Sequence, residues 1–138
     1  MAYATAQNII DRYGEQELLL VADRDNDGIS DVDVIATALN DSTDEINVYV
    51  ASNYTLPLDP VPSVLVRICV DITMYRLATN AGTLTDEKKE RYKSCVSMLD
   101  RIASGKLSIG VQAAPEMQNL ASSFIAPTSV SGKFGVAL

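Results

Sequence analysis

Apolar residues recur at every third or fourth position along most of residues 1–105, which is the spacing of amphipathic α-helices. A short helix is predicted to begin after Thr5, its expected cap, and to continue to Tyr13. Gly14 ends it, and a second short helix with the sequence EQELLLVA is predicted directly afterwards. The chain therefore opens with two short helices in succession.

A longer third helix is predicted from Asp31 or Val32 to about Ser52. Its apolar side has one polar gap, which Ser42 fills. The residues that recur at helical spacing on this side are Val32, Ile35, Leu39, Ile46 and Tyr49 or Val50.

The segment TLPLDPVPS interrupts the helical pattern with three prolines in six positions, because proline lacks the backbone donor that would continue a helix. It is predicted to be a rigid extended connection. Ser63 is expected to cap the next helix, VLVRICVDITMYRLATN, which is apolar nearly all round and is therefore predicted to be the buried central element. Arg67 and Asp71 lie four positions apart on it, so they are expected to pair.

The last predicted helix runs through TDEKKERYKSCVSMLDRIASG, with Thr85 as its cap and Gly105 at its end. Its lysines and Glu90 are expected to face water. Residues 1–105 are thus predicted to form one all-α domain, a small bundle of about four to five helices. The last helix is predicted to contribute Tyr92, Cys95, Val96, Leu99, Ile102 and Ala103 to the core.

Residues 106–138 show no long period and little charge, and they are predicted to form an extended C-terminal arm. A segment of this composition is either disordered alone or ordered by a partner. Its apolar residues favour ordering on assembly: Ile109, Val111, Met117, Leu120, Phe124, Ile125 and Phe134.

The net charge of −7 is unevenly distributed along the chain. Residues 1–59 contain twelve acids and two bases, whereas residues 60–138 contain six acids and nine bases, so the two parts carry −10 and +3. An acidic protein is not expected to bind DNA directly, because phosphate neutralisation supplies most non-specific affinity. The asymmetry is either the mark of contacts between copies or simply a solvated acidic face.

Several classes of protein are not expected from the remaining composition. No apolar run approaches the roughly 18 residues of a membrane span, and no secretory signal is visible, so the cytoplasm is the expected compartment. Cys69 and Cys95 lie within helical patterns, and no disulfide is expected. The chain has no histidine and no phosphate-binding glycine-rich loop, so no enzymatic activity is expected.

The segment DRDNDGISD, residues 23–31, places aspartates at alternate positions around Gly28. In the calcium-binding hand, oxygen ligands come from loop positions 1, 3, 5, 7 and 9, where position 7 supplies its main-chain carbonyl, and a glycine stands at position 6. The predicted metal ligands at these positions are Asp23, Asp25, Asp27, Ile29 and Asp31.

The twelfth loop position is Val34, which cannot be the bidentate ligand that a full hand has there, and Asp33 is the alternative acid. Two interpretations stay open. One is a structural cation, with Ca²⁺ favoured over Mg²⁺ because Mg²⁺ demands stricter geometry. The other is an aspartate-rich turn that caps the next helix through Asp31 and holds no metal. A catalytic metal is not expected.

The order of these motifs resembles a family of Mu-like bacteriophage proteins. The motifs are an opening YAT, the step DRYGE, the turn DRDNDG, the segment INVYVASNYTLPLDPVP and the helix DITMYRLA. The likeness continues through RYKSCVSMLDRIASGKLSIG to about residue 110 and fades in the arm.

This resemblance implies a head-to-tail adaptor, or head-completion protein, located in the neck of the virion. The expected form is a homo-oligomeric ring of about twelve copies below the portal protein. A tail or tail-terminator protein is the other expected partner, and DNA is expected to pass through the channel without specific binding. Another phage assembly or tail-completion protein and a calcium-binding interaction module are the alternatives.

Overall fold

The computed structural model describes residues 1–110 of the 138 residues. This part of the chain is all-α, as predicted, and contains no strand. Most of the predicted arm lies outside it, but Leu107 packs against the helical core and Ile109 is buried. The five helices are α1 (Ala6–Tyr13), α2 (Glu15–Ala22), α3 (Val32–Val50), α4 (Ser63–Ala81) and α5 (Asp86–Ala103).

α4 is the central helix and contacts each of the other four. Its sequence is apolar on nearly every side, and ten of its residues are buried, which confirms the prediction. Burial of one large aliphatic side chain contributes about 1.5–3 kcal/mol. The largest enclosed side chains of α4 are Leu65, Ile68, Ile72, Met74 and Leu77.

The interface between α3 and α4 contains buried hydroxyl groups. Ser42 does fill the gap in the apolar side of α3: its hydroxyl donates to the Ala38 carbonyl at 2.8 Å and accepts from the Thr73 hydroxyl at 2.9 Å. Val32 was predicted to join the same apolar side but is 76% exposed. It lies in the first turn of α3, shortly after the exposed loop of residues 24–29 and ahead of the buried part of the helix, which starts at Ile35.

Two of the three predicted helix caps form. The Thr5 side chain accepts from Asn8 N and the Thr85 side chain accepts from Lys88 N, both at 3.2 Å. The prediction for Ser63 is wrong, because Pro62 takes the cap position in an extended conformation and Ser63 is already helical. α4 therefore begins without a side-chain cap.

Lys88 corrects the prediction that the lysines of α5 face water. It is 6% exposed, and its Nζ donates to Glu17 Oε1 at 3.0 Å. The first turn of α5 lies close to α2, so a side chain there meets another helix rather than solvent. Among residues 1–110, no helix combines the length and apolar composition needed to cross a membrane.

Candidate functional site

The aspartate loop, residues 23–31, connects α2 to α3 and is closed by backbone hydrogen bonds. Asp23 N donates to the Leu19 carbonyl at 3.2 Å, and Asp31 N donates to the Ala22 carbonyl at 2.8 Å. The first and last aspartates are therefore held close together at the base of the loop.

Four carboxylates converge in this loop. One oxygen from each of Asp23, Asp25, Asp27 and Asp31 lies within 4.8 Å of the others. The chain turns tightly at its tip, where Gly28 has a φ of +84°, a left-handed conformation that favours glycine. The structure thus brings together the four side chains that the sequence proposed as ligands.

Backbone N–H groups hold the carboxylates in place. Asp23 accepts from Asp27 N at 3.1 Å and from Gly28 N at 2.9 Å, while Asp27 accepts from Ile29 N at 2.9 Å. Such bonds pre-orient the oxygens before any ligand binds.

Asp31 occupies the cap position of α3, but its side chain makes no capping hydrogen bond. Its Oδ2 accepts from Arg24 N at 2.7 Å, and α3 has no side-chain hydrogen bond at its cap. The capping contact expected in the metal-free interpretation is therefore wrong, because the carboxylate turns back into the loop.

Two of the carboxyl groups have shifted pKa values, in opposite directions. Although desolvation opposes the change, the N–H donors of Gly28 and Asp27 hold the pKa of Asp23 below its ordinary value. Desolvation, a hydrogen bond shared with Asp23 and the charges of Asp27 and Asp31 raise the pKa of Asp25. A divalent cation at this position would relieve the part of this rise that comes from the neighbouring charges.

The donor set fits Ca²⁺ in part. Carboxylate oxygens are the ligands that Ca²⁺ prefers, and Ile29 can contribute only its main-chain carbonyl because its side chain is a hydrocarbon. Val34, at the twelfth position, packs against the core, and Asp33 lies outside the carboxylate group. The bidentate acid of a full hand is therefore missing, so affinity lower than that of a complete hand is expected. The metal itself stays a prediction.

The two cysteines are poor candidates for nucleophilic chemistry. Both are free and buried. Burial and the neighbouring Asp71 raise the pKa of the Cys95 thiol to about 12, and burial raises the pKa of Cys69 above its ordinary value. A thiol that keeps its proton is unreactive, so these residues serve as small core side chains.

Comparison with known proteins assigns the chain to a family. The family model described as Bacteriophage Mu, Gp36 matches residues 3–126. The chain is 33% identical over 109 residues to the Mu-like prophage FluMu protein gp36 of Haemophilus influenzae, a match that covers 79% of this chain and 76% of that protein. It is also 33% identical over 125 residues to gene product J of Escherichia phage Mu, with 87% of each chain covered. This chain belongs to the bacteriophage Mu Gp36 family.

Membership in the Mu Gp36 family confirms the Mu-like resemblance and makes the chain a bacteriophage protein. The match reaches residue 126, whereas the sequence motifs predicted a likeness only to about residue 110. The motifs stopped early because the arm contains few charged residues and no compact group of distinctive residues. Much of the predicted arm therefore belongs to the part of the sequence that the family shares.

Sequence reasoning missed a groove between α1 and α4. The predicted pair of Arg67 with Asp71 is wrong: Asp71 is 7% exposed, accepts from the Tyr13 hydroxyl at 2.8 Å and lies 3.9 Å from Arg12 Nε. α1 supplies these partners from a distant part of the sequence, so spacing along α4 could not reveal them. Arg67, one of two arginines on a largely apolar helix, was the available signal.

Proposed function

We propose that this member of the Mu Gp36 family is the head-to-tail adaptor of its phage. The proposal rests on the family match over residues 3–126, taken with the neck role that the sequence resemblance implies. The described part of the chain supports a structural role, because its buried polar side chains have hydrogen-bond partners within the protein and its thiols keep their protons.

In this proposal the protein forms a ring of about twelve copies in the neck of the virion. One side of the ring meets the portal protein and the other meets a tail or tail-terminator protein. The chain is made in the host cytoplasm and catalyses no reaction.

DNA passes through the proposed ring without being bound. The net charge of −7 supports this, because a surface rich in carboxylates opposes the phosphate contacts that provide non-specific affinity. A channel lined mainly by lysines would contradict it.

The aspartate loop has a structural part in this proposal. A Ca²⁺ ion held by Asp23, Asp25, Asp27 and Asp31 would fix the connection between α2 and α3. The ion would stabilise the subunit and would take no part in a reaction.

Inactivation of the gene in the phage tests the proposal. An adaptor joins heads to tails, so electron microscopy is expected to show DNA-filled heads and complete tails that remain separate, and the wild-type chain supplied in trans should restore joining. Defective tail ends would instead indicate a tail-completion protein. A chain that mass spectrometry does not find in finished particles would indicate an assembly factor, and either result would contradict the proposal.

A further inference from the structure

The Arg12–Arg67 groove lies where α1 crosses α4 and is defined by Arg12, Val64, Val66 and Arg67. It consists of two adjoining cavities of about 540 and 360 Å³ that share the two arginines. Val64 and Val66 are only partly buried and form an apolar wall beside the charges. The groove thus combines apolar surface with two guanidinium groups.

Neither Arg12 nor Arg67 has a close acidic partner. Within residues 1–110, Arg67 makes no ion pair within 4.0 Å. The contact of Arg12 is a long one, 3.9 Å to Asp71 Oδ1, and that oxygen already accepts from the Tyr13 hydroxyl. Both arginines are therefore available to carboxylates from outside the chain.

Besides Asp71, three acids line the groove, and all three are already engaged. Asp11 accepts from the side chain of Gln7 at 2.9 Å. Glu87 pairs with Arg91 at 3.2 Å, and Glu90 pairs with Lys93 at 3.6 Å. These contacts reduce the competition for Arg12 and Arg67.

The outer face of α3 offers the opposite chemistry. Its exposed residues recur at helical spacing, and Val48 is 74% exposed. None of the three carboxylates on this face forms an ion pair with the part of the chain that the structure describes. The residues of the outer face are Asp33, Thr37, Asn40, Asp41, Asp44 and Val48.

The groove lies on the side of α4 that faces away from α3, so the groove and the outer face of α3 are on opposite sides of the protein. Cys69 faces α3, because its Sγ is 3.8 Å from Thr43 Oγ1. Arg67 precedes it by two residues, which turns its side chain about 160° away at 3.6 residues per turn. One copy can therefore use both surfaces at the same time, as heterologous contacts in a ring require.

We propose that the outer face of α3 in one copy docks into the Arg12–Arg67 groove of the next copy. Asp41 and Asp44 face the two arginines, and Val48 packs against the wall formed by Val64 and Val66. The occupant is a second copy of this chain because the outer face has the complementary charge and an exposed apolar residue. This inference deepens the proposed function and depends on it only for closure of the contact into a ring.

Disulfide trapping between full-length chains tests this contact without portal protein. A Val48→Cys chain is mixed with a Val66→Cys chain, oxidised with copper–phenanthroline and analysed by non-reducing gel electrophoresis and mass spectrometry. A Ser97→Cys chain, altered at an exposed position on α5, replaces the Val66→Cys chain as the control. The expected yield of mixed dimer is about tenfold above this control. Equal yields would overturn the inference.

A charge exchange checks that the arginines guide the docking. Arg67→Glu in the Val66→Cys chain should lower the yield about tenfold, and Asp44→Arg in the Val48→Cys partner should restore it. Arg101→Glu, an exposed change on α5, should leave the yield unaltered. The variants compared must have the melting temperature of the wild type. Among these, an unchanged yield with Arg67→Glu, or no restoration by Asp44→Arg, would contradict the contact.

The two proposals fail separately. If the purified chains cross-link as expected, but phage lacking the gene still joins heads to tails, the contact is retained and the adaptor is refuted. If loss of the gene leaves heads and tails separate, but the purified chains do not cross-link above the control, the adaptor is retained and the contact is refuted.

Discussion

The α3–α4 interface and the aspartate loop both contain several polar groups close together, but the two regions differ in where the hydrogen-bond partners of these groups come from. At the interface, the Thr73 hydroxyl donates to Ser42, which donates to a backbone carbonyl. In the loop, four carboxylates share one small volume, and the N–H groups of the loop are their main donors. Buried polar groups must find partners inside the protein, whereas solvent allows a surface loop to carry excess charge. The interface is thus suited to stability and the loop to binding.

The largest effect is expected from opening a cavity beside the interface. Ile72 is completely buried on α4, so Ile72→Ala should lower the free energy of unfolding by about 2–5 kcal/mol. Urea unfolding followed by circular dichroism measures this. Val48→Ala, on the exposed face of α3, is the control and should change stability by less than about 0.5 kcal/mol. Similar losses in both variants would show that α4 is not central to the fold.

Removal of one hydroxyl from the interface should have a smaller effect. Thr73→Val keeps the shape of the side chain but removes the donor to Ser42, so a loss of about 0.5–1.5 kcal/mol is expected. Thr37→Val, exposed on α3, is the matched change at the surface. If Thr73→Val is neutral in the same unfolding assay, the buried hydroxyl pair contributes nothing.

Alkaline pH should destabilise the helical body through two tyrosines. Burial raises the pKa of Tyr13 and of Tyr92 to about 12, and their hydroxyls donate to Asp71 and Glu45. The folded state therefore holds these protons more tightly than the unfolded state, whose tyrosines titrate near 10. Their stabilisation is complete below pH of about 10 and is lost as pH rises towards 12.

Unfolding by urea at a series of pH values between about 8 and 11 measures this loss. Tyr13→Phe and Tyr92→Phe should each make the alkaline decline less steep, while Tyr49→Phe serves as the control. A decline as steep in the double variant Tyr13→Phe/Tyr92→Phe as in the wild type would exclude these hydroxyls as the cause.

The smallest effect is expected in the loop when no cation is present. Asp25→Ala/Asp27→Ala should change stability in chelator by less than about 0.5 kcal/mol, because both side chains are exposed. Added Ca²⁺ should raise the melting temperature of the wild type and leave this variant at its chelator value. Equal melting temperatures of the wild type with and without Ca²⁺ would show that the loop does not bind the ion.

Local chemistry made the elements of the fold predictable. Apolar spacing indicated the all-α fold and the buried α4, and the threonines at positions 5 and 85 marked two helix starts correctly. The convergence of the four aspartates could also be anticipated, because all of them lie within nine residues around a glycine. Information contained in one short segment was sufficient in each case.

Contacts between distant segments could not be predicted in the same way. Lys88 is buried because α2 meets the first turn of α5, and Asp71 bonds to Tyr13, which is 58 residues away. The Arg12–Arg67 groove exists only because α1 crosses α4. Helical periodicity identifies the apolar side of each helix, but it does not say which helices meet.

The mass of the complex formed with purified portal protein tests the adaptor proposal most directly. Light scattering after gel filtration is the measurement, made on the chain alone, on the portal ring alone and on their mixture. We expect the mixture to gain the mass of a complete ring, about twelve copies of the 14.9 kDa chain. A portal ring whose mass stays unchanged, while the chain elutes separately at its own mass, would contradict the head-to-tail adaptor.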